Sequence, residues 1–467
     1  MLPTIFVIFG ATGDLMQKKL AVSLFRLHEK GLLPRLFQVV GFAKEELTNE
    51  QFRERVEKMI LAKRDVSQEI AKQFTRYFMY QHGFFEESEG YKNLAKILGR
   101  QDGEWRVCAN KLFYIAASPQ YYKTIFLNLD KSGLTEPCSL EEGWTRVIVE
   151  KPFGKDLQTA EELDQLLGKL FQEEQIYRLD HYLGKETVQN ILAFRFSNSF
   201  LQNSWNKDAI ESIHIELFER EGVEDRGEFY EGIGALRDVG QNHILQLLAL
   251  FTMENPGVFE GDAIREKRAE VLRSLKMYDR RESKEITTRA QYEGYRKEKN
   301  VDPNSQTETY FRIKAYLNTP RWEGVPMFME SGKAMVQDRV EVRVMFKHPI
   351  PCFCPPETGK HYRNILHYRI QPDEGIEIMF WVKKPGPDTI MEERSFLFNY
   401  KEAFAKAEFA DAYEKLLLNA IKGDQTLFVS TDEIMASWKF IDSILKAWQK
   451  NKVPLVSYKK YSSVPIS

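Results

Sequence analysis

The segment TIFVIFGATGDLMQKKLAVSLFRLHEKG, residues 4–31, decides the fold. TIFVIF is a continuous apolar run with the length of a fully buried strand, GATG is a tight turn, and LMQKKLAVSLFRLHEKG has helical periodicity closed by Gly31 and Pro34. FQVVGFA, residues 37–43, follows as a second strand. Strand, helix and strand in that order predict parallel strands with helical crossovers, and hence a Rossmann-like doubly wound sheet. Outward from this unit, helical charge patterns occupy roughly 48–100, KLFYIAAS and TRVIVEKPFG give two more buried strands, a helix follows at about 157–173, and IYRLD ends this half. The texture then changes. VQNILAFRF and the segment from Arg237 read as helices, whereas ESIHIELFE, TYFRIKAYL, RVEVRVMF, LHYRIQ and IEIMFWVKK alternate like half-solvated antiparallel strands. The expected organisation is a parallel α/β domain over 1–176 and a larger α+β domain over 177–467, with a mainly antiparallel sheet packed on helices.

At 467 residues the chain exceeds what one hydrophobic core organises, which agrees with two domains. Its 66 basic and 68 acidic residues leave a formal charge of −2, so there is no field for nucleic acid or a membrane surface, and any anion site has to be local. Four cysteines, Cys108, Cys138, Cys352 and Cys354, are too few to staple so long a chain and suit a reducing cytosol. PCFCPP, with His361 and His367 nearby, invites a zinc site, but the spacing is not a paired set and the prolines read as loop, so no metal is expected. No apolar run approaches the ~20 residues that span a bilayer. The reading is a soluble, unprocessed cytoplasmic protein.

The chemistry concentrates in YRLDHYLGKETVQN, residues 177–190. An anionic phosphoester needs cationic and hydroxyl donors converging on one point, and His181, Tyr182 and Lys185 supply one each, with Lys185 where the chain is expected to turn helical. Asp180 would repel such a ligand. Its expected task is to face away and orient another group, such as a distant histidine acting as base. At the first turn, Gly10 and Gly13 lack a Cβ, so the backbone can approach a pyrophosphate while the following helix offers its amides.

RLDHYLGKE resembles the signature RIDHYLGKE of the glucose-6-phosphate dehydrogenase family, and the likeness continues through VQN. FGATGDL (9–15), VEKPFG (149–154), RDVGQNH (237–243), RWEGVPMF (321–328) and IQPDE (370–374) occur in that family's order and at about its spacing. The resemblance implies oxidation of glucose 6-phosphate at C1 to the lactone, with hydride transfer to NADP and with NAD left open. It implies His243 as base, Asp180 as its carboxylate partner, and Lys151 at the reacting end of the sugar beside the nicotinamide. It places His181, Tyr182 and Lys185 on the phosphate and Glu219, Asp238 and Lys333 on the sugar. Gly10, Ala11, Thr12, Gly13, Asp14, Leu15 and Lys19 fall to the cofactor. Histidine fits the task of base, since an unperturbed imidazole is neutral and accepting at pH 7.

The sequence departs from the family in two places. Where the family commonly carries an arginine for the 2′-phosphate stands Lys44, which keeps the charge but loses the bidentate fork, and Glu45 beside it adds repulsion. Five residues after Lys333, where the family has a second cation, stands Asp338, with Arg339 one residue later. Gln371, in IQPDE, matches a substrate-side glutamine on a strand where a plain exposed residue reads as well. Two other readings remain: a related NAD(P)-dependent sugar dehydrogenase acting on uncharged sugars, and a non-catalytic NADP-binding relative. An exposed face on the second sheet implies a homodimer or homotetramer.

Overall fold

The computed structural model describes residues 2–138, 143–279, 281–351, 362–405, 408–449 and 453–462. The chain divides into two compact units. One comprises Met1–Lys185, Val258–Arg265 and Ala410–Ile434, and the other comprises Glu186–Gly257, Glu266–Phe409 and Met435–Ser467. The division expected from sequence is continuous, whereas the first unit recovers two later segments.

The strands, in chain order, are β1 (Thr4–Phe9), β2 (Phe37–Ala43), β3 (Phe78–His82), β4 (Asn110–Ile115), β5 (Thr145–Val149) and β6 (Ile176–Leu179), then β7 (Ile210–Phe218), β8 (Thr287–Tyr292), β9 (Tyr310–Ala315) and β10 (Met327–Gly332). They continue with β11 (Arg339–Phe346), β12 (Ile365–Gln371), β13 (Gly375–Lys383), β14 (Met391–Asn399), β15 (Phe428–Val429) and β16 (Leu455–Tyr458). The first unit holds a seven-stranded sheet in the order β15-β6-β5-β4-β1-β2-β3, parallel except for β15 against β6. That is the doubly wound order, with its switch point between β1 and β4. β1 is buried along its whole length, as its unbroken apolar run predicts. β3 is an edge strand inside a stretch whose charge pattern suggests only helix.

Side chains tie the returning segment to this sheet. Arg178, buried on β6, pairs with Asp164 at 2.7 Å and Glu173 at 2.9 Å and bonds Thr431 Oγ1 at 2.7 Å. Arg146 donates to the carbonyls of Ala420 and Ile421, supplying donors for acceptors that helix Ala412–Lys422 leaves open at its end. Glu414, almost fully enclosed, takes Arg26 at 2.9 Å and Lys30 at 3.0 Å from the first helix.

The second unit is a nine-stranded sheet in the order β14-β13-β12-β11-β7-β10-β9-β8-β16, antiparallel except for β10 against β7 and β16 against β8. Helix Leu245–Thr252 is buried at every position. The carbonyls at its C-terminal end have no helical partner and are enclosed, so side chains must serve them. Arg195 donates to Leu250 at 2.6 Å and Met253 at 2.7 Å, Trp205 to Phe251 at 2.7 Å, and Trp322 to Thr252 at 2.7 Å. Burial pushes the Arg195 guanidinium down to about 9, still charged at neutral pH.

Against the expectation of unbridged thiols, Cys108 and Cys138 form a disulfide. Cys352, Cys354 and His361 of the zinc reading lie outside the described residues. Among the described residues, no helix is long and apolar enough to cross a membrane.

The capping of Leu245–Thr252 is open to test. Arg195→Met keeps an apolar stem but removes the donors of two buried carbonyls, which is expected to cost about 3–5 kcal/mol. Urea unfolding should show a lower midpoint at unchanged slope, and an unmoved midpoint would mean the carbonyls find other donors.

Candidate active site

The first turn of the first unit is built for close approach. Gly10 has φ +83°, and a Cβ there would stand 2.3 Å from the Ala116 carbonyl oxygen beyond β4. Gly10 and Ala11 donate to the Phe42 carbonyl at 2.9 and 3.3 Å, and Gly13 donates back to Gly10 at 2.9 Å, so Gly10, Ala11, Thr12 and Gly13 form a tight cradle at the carboxyl end of β1. Asp14 pairs with Lys18 at 2.7 Å on the surface. Leu15 leads into a π-helical turn, Met16–Leu20, which carries Lys19. Such widened turns are uncommon and gather at functional sites. This residue set fits a dinucleotide: amides, no Cβ at the crowded point, and an open carboxyl edge of the sheet.

At the end of β2, Lys44 is exposed, and its carbonyl lies 3.1 Å from His82 Nε2. The Tyr80 hydroxyl donates to the carbonyls of Ala43 at 3.0 Å and Glu45 at 2.6 Å, which fixes this loop. Glu45 Oε2 is buried and has no hydrogen-bond partner among the described residues. The loop thus sets an exposed lysine next in sequence to a carboxylate with one buried oxygen that has no partner among the described residues.

His181 to Lys185 form a turn, with the helix beginning only at Glu186. The turn is closed by the Asp180 carbonyl, which accepts from Leu183 at 3.0 Å, and by Asp180 Oδ1, which accepts from the Tyr182 amide at 2.9 Å. Asp180 is buried. The Lys185 ammonium lies 4.6 Å from the centre of the Tyr182 ring, and the His181 ring is 5.0 Å from it, so the three donors share one patch. Gly184 is needed because a Cβ would meet the Ala412 carbonyl oxygen at 2.8 Å.

That contact introduces residues the sequence reading missed. Tyr413 stacks on His181 with centroids 6.5 Å apart and planes 14° from parallel. Lys19 pairs with Asp411 at 3.0 Å and lies 5.8 Å from the Tyr413 ring, so it is held by a segment almost 400 residues away in sequence. The signal was present: Asp411-Ala-Tyr-Glu414 before LLLNAI is a capping box, and both of its bonds form. At the end of β5, Lys151 follows Glu150, whose carboxyl accepts from the Tyr114 hydroxyl at 2.6 Å.

In the second unit, parallel pairing of β10 with β7 sets Gly332 opposite Phe218, so the next residues, Lys333 and Glu219, emerge side by side. The Lys333 ammonium pairs with Glu219, approaches Asp238 Oδ2 at 3.7 Å, and lies 5.4 Å from the Tyr230 ring centre. The Tyr458 hydroxyl holds the Lys333 carbonyl at 2.6 Å. Asp238 and His243 lie on one π-helical stretch, Leu236–Ile244, with His243 buried. Asn242 supports the widening by donating to the carbonyls of Arg237 and Asp238 at 3.3 and 3.0 Å. Three sugar-side residues expected from sequence therefore converge.

Arg339 is placed differently. Its register opposite Phe218 puts it on the face of Glu216, with which it pairs at 2.7 Å, while Asp338 accepts from the Arg220 amide at 2.8 Å. A one-residue offset on a strand exchanges faces. Gln371 is exposed at the end of β12.

Comparison with known proteins agrees with this geometry. The model of the glucose-6-phosphate dehydrogenase NAD binding domain matches residues 7–190, and that of the C-terminal domain of the same family matches residues 192–467. The chain is 38% identical over 469 residues to the glucose-6-phosphate 1-dehydrogenase of Chlamydia pneumoniae, covering 97% of this chain and 91% of that protein. It is 39% identical over 452 residues to that of Borreliella burgdorferi, covering 95% and 91%. Among solved structures, a glucose-6-phosphate dehydrogenase in complex with its substrate glucose-6-phosphate superposes with a TM-score of 0.90 at 34% identity, covering 99% of this chain and 96% of the other.

Proposed function

The chain belongs to the glucose-6-phosphate dehydrogenase family, and from that premise we propose that it oxidises glucose 6-phosphate at C1 to the lactone with NADP as cofactor. The observation that carries the reading is the turn His181–Lys185, which presents an imidazole, a phenol and an ammonium from one patch. An uncharged sugar would have no use for it. NADP, when bound, supplies the acceptor for the hydride leaving C1.

The chain's own residues have separable tasks. His243 takes the C1 hydroxyl proton as general base, and Asp180 orients the imidazole and stabilises its cation; the burial of both supports these roles. Lys151 sits at the reacting end of the sugar. His181, Tyr182 and Lys185 hold the phosphate, and Glu219, Asp238 and Lys333 hold the hydroxyls, with Lys333 already drawing the two carboxylates together. The placement of Arg339 and Gln371 adds no support to the substrate role that the resemblance implies for them. Gly10 to Leu15 and Lys19 take the cofactor's pyrophosphate end, and Lys44 its 2′-phosphate. The division into a nucleotide part, 1–176, and a substrate part, 177–467, belongs to the same proposal, as do cytoplasmic residence and assembly as a homodimer or homotetramer. Edge strand β14 supports association, since it exposes Phe396, Leu397 and Phe398.

Purified protein should reduce NADP with glucose 6-phosphate and scarcely with glucose, followed by absorbance at 340 nm; equal rates on the two sugars would turn the reading to a dehydrogenase of uncharged sugars. Within that assay, Lys185→Ala should raise KM far more than it lowers kcat, because a charge-assisted hydrogen bond contributes about 1.5–3 kcal/mol. An unchanged KM would take Lys185 out of the phosphate site.

Cofactor choice should respond to the loop after β2. Lys44→Ala should weaken NADP selectively, and Glu45→Gln should shift preference from NAD toward NADP, since it removes the unsatisfied charged oxygen beside the cation. If neither moves the ratio of kcat/KM for the two cofactors, selection lies elsewhere.

His243→Asn should lower kcat by about 10²–10⁴ with little change in substrate affinity. Asp180→Asn should reproduce much of that loss, and the double variant should be little worse than His243→Asn, because coupled residues are not additive. Full activity in His243→Asn would eliminate it as base.

A further inference from the structure

Glu150 is not accounted for by the roles above. It stands at the carboxyl end of β5, directly before Lys151, on the edge of the sheet where a doubly wound fold takes its ligand. Its carboxyl is enclosed by three tyrosines from three elements. Tyr114 on β4 donates its hydroxyl to Oε1 at 2.6 Å, and Tyr122, opening helix Tyr122–Lys131, donates to the Glu150 carbonyl at 2.9 Å. Tyr413 on helix Ala412–Lys422 hydrogen-bonds the carboxyl, and the main chain of Lys151 does so too. Lys151 is a cation whose charge acts on the carboxyl. Behind Tyr413 lie Asp411, Asp180, Lys19 and His181. Enclosure pushes the Glu150 carboxyl up from 4.5 to about 7, while the hydrogen bonds and the Lys151 charge pull it the other way.

Two hydrogen-bonding tyrosines on one carboxyl are more than a turn requires. They keep it in place in either protonation state, since a phenol donates to a carboxylate and also accepts from a carboxylic acid. An oxidised nicotinamide carries a positive charge and a reduced one does not, so a lysine beside it disfavours the oxidised ring alone, and a carboxylate beside that lysine favours it. We propose that Glu150 is a positioning residue for Lys151, whose carboxylate, held by Tyr114 and Tyr413, offsets the lysine's charge toward an oxidised nicotinamide and so makes the preference for oxidised over reduced cofactor rise with pH. The inference rests on the proposed cofactor and on the proposed place of Lys151.

The sign follows from the charges. Below about 7 Glu150 is neutral and adds no charge to counter that of Lys151; above it the carboxylate offsets part of that field. Oxidised cofactor therefore tightens as pH rises, with release of a proton on binding, while the reduced form is nearly indifferent. The cofactor's own phosphate titration affects both forms alike and cancels in their ratio.

The test is the dissociation constants of NADP⁺ and NADPH for the whole protein, without sugar, by titration calorimetry and nucleotide fluorescence between pH 5.5 and 8.5. In the unsubstituted protein the ratio of the NADPH constant to the NADP⁺ constant should rise roughly threefold to tenfold through one inflection near neutrality. Glu150→Gln should flatten the ratio. Tyr413→Phe removes one hydrogen bond to the carboxylate and should move the inflection to higher pH, an effect that loss of packing alone would not produce. A flat ratio in the unsubstituted protein, or an inflection that persists in Glu150→Gln, overturns the inference while leaving the assigned reaction intact. Failure of both cofactors to bind sinks the two together.

Discussion

A helix buried at its C-terminal end must have its last carbonyls served by someone else's donors, and the chemistry-bearing helices here are positioned by that demand. In the second unit, Arg195, Trp205 and Trp322 serve Leu245–Thr252, the continuation of the π-helical stretch that carries Asp238 and His243. In the first, Arg146 serves Ala412–Lys422, whose opening turn carries Tyr413. Because an unpaired buried carbonyl costs about 1–3 kcal/mol, each helix is fixed in register as well as in place. The segments that carry His243 and Tyr413 are thus anchored at their far ends by arginines, and in the second unit by two tryptophans as well.

Local order was largely legible in the sequence, and pairing was not. TIFVIF and FQVVGFA announce buried parallel strands because both faces are apolar, and IYRLD ends the half as β6 does. β3 escaped because FMYQH is short and ends in the polar pair Gln81 and His82, on a sheet edge. β10 escaped because it begins inside RWEGVPMF, a segment that reads as motif rather than strand, yet its parallel pairing with β7 is what sets Lys333 beside Glu219. The motif's Trp322 proves to cap a helix. Arg339 shows the limit most plainly: one residue of offset in a strand exchanges faces, and nothing in linear spacing reveals which face is wanted.

The return of residues 410–434 to the first unit was the largest gap, since hydrophobic pattern gives an element's type but not its address. What brings it back is polar: Arg178 with Thr431, Arg146 with two carbonyls, Glu414 with Arg26 and Lys30. These contacts specify a docking position more sharply than apolar area would, because a displaced charge in a partly buried setting is left uncompensated. The HYLGK turn then needs Gly184, whose missing Cβ admits the Ala412 carbonyl.

With a net charge of only −2, the molecule draws anions by local arrangement, and its site cations do not stand bare. Lys19 is engaged by Asp411, Lys333 by Glu219 and Asp238, and Lys185 rests on the Tyr182 ring. An acid partner keeps a lysine extended and in place before a ligand arrives, which lowers the ordering cost of binding. It also weakens the bare attraction, so affinity depends on how far each carboxylate can turn to the ligand's hydroxyls instead. At Lys333 that exchange is natural, because a sugar offers the hydroxyls that Glu219 and Asp238 accept from. At the HYLGK turn the Lys185 ammonium lies over the Tyr182 ring, an aromatic face that steadies it without offering an oxygen to compete with an anion. A lysine set among carboxylates suits a ligand that offers hydroxyls, and a lysine laid on a ring suits one that offers acceptors, which is the division of labour proposed for the two ends of the substrate.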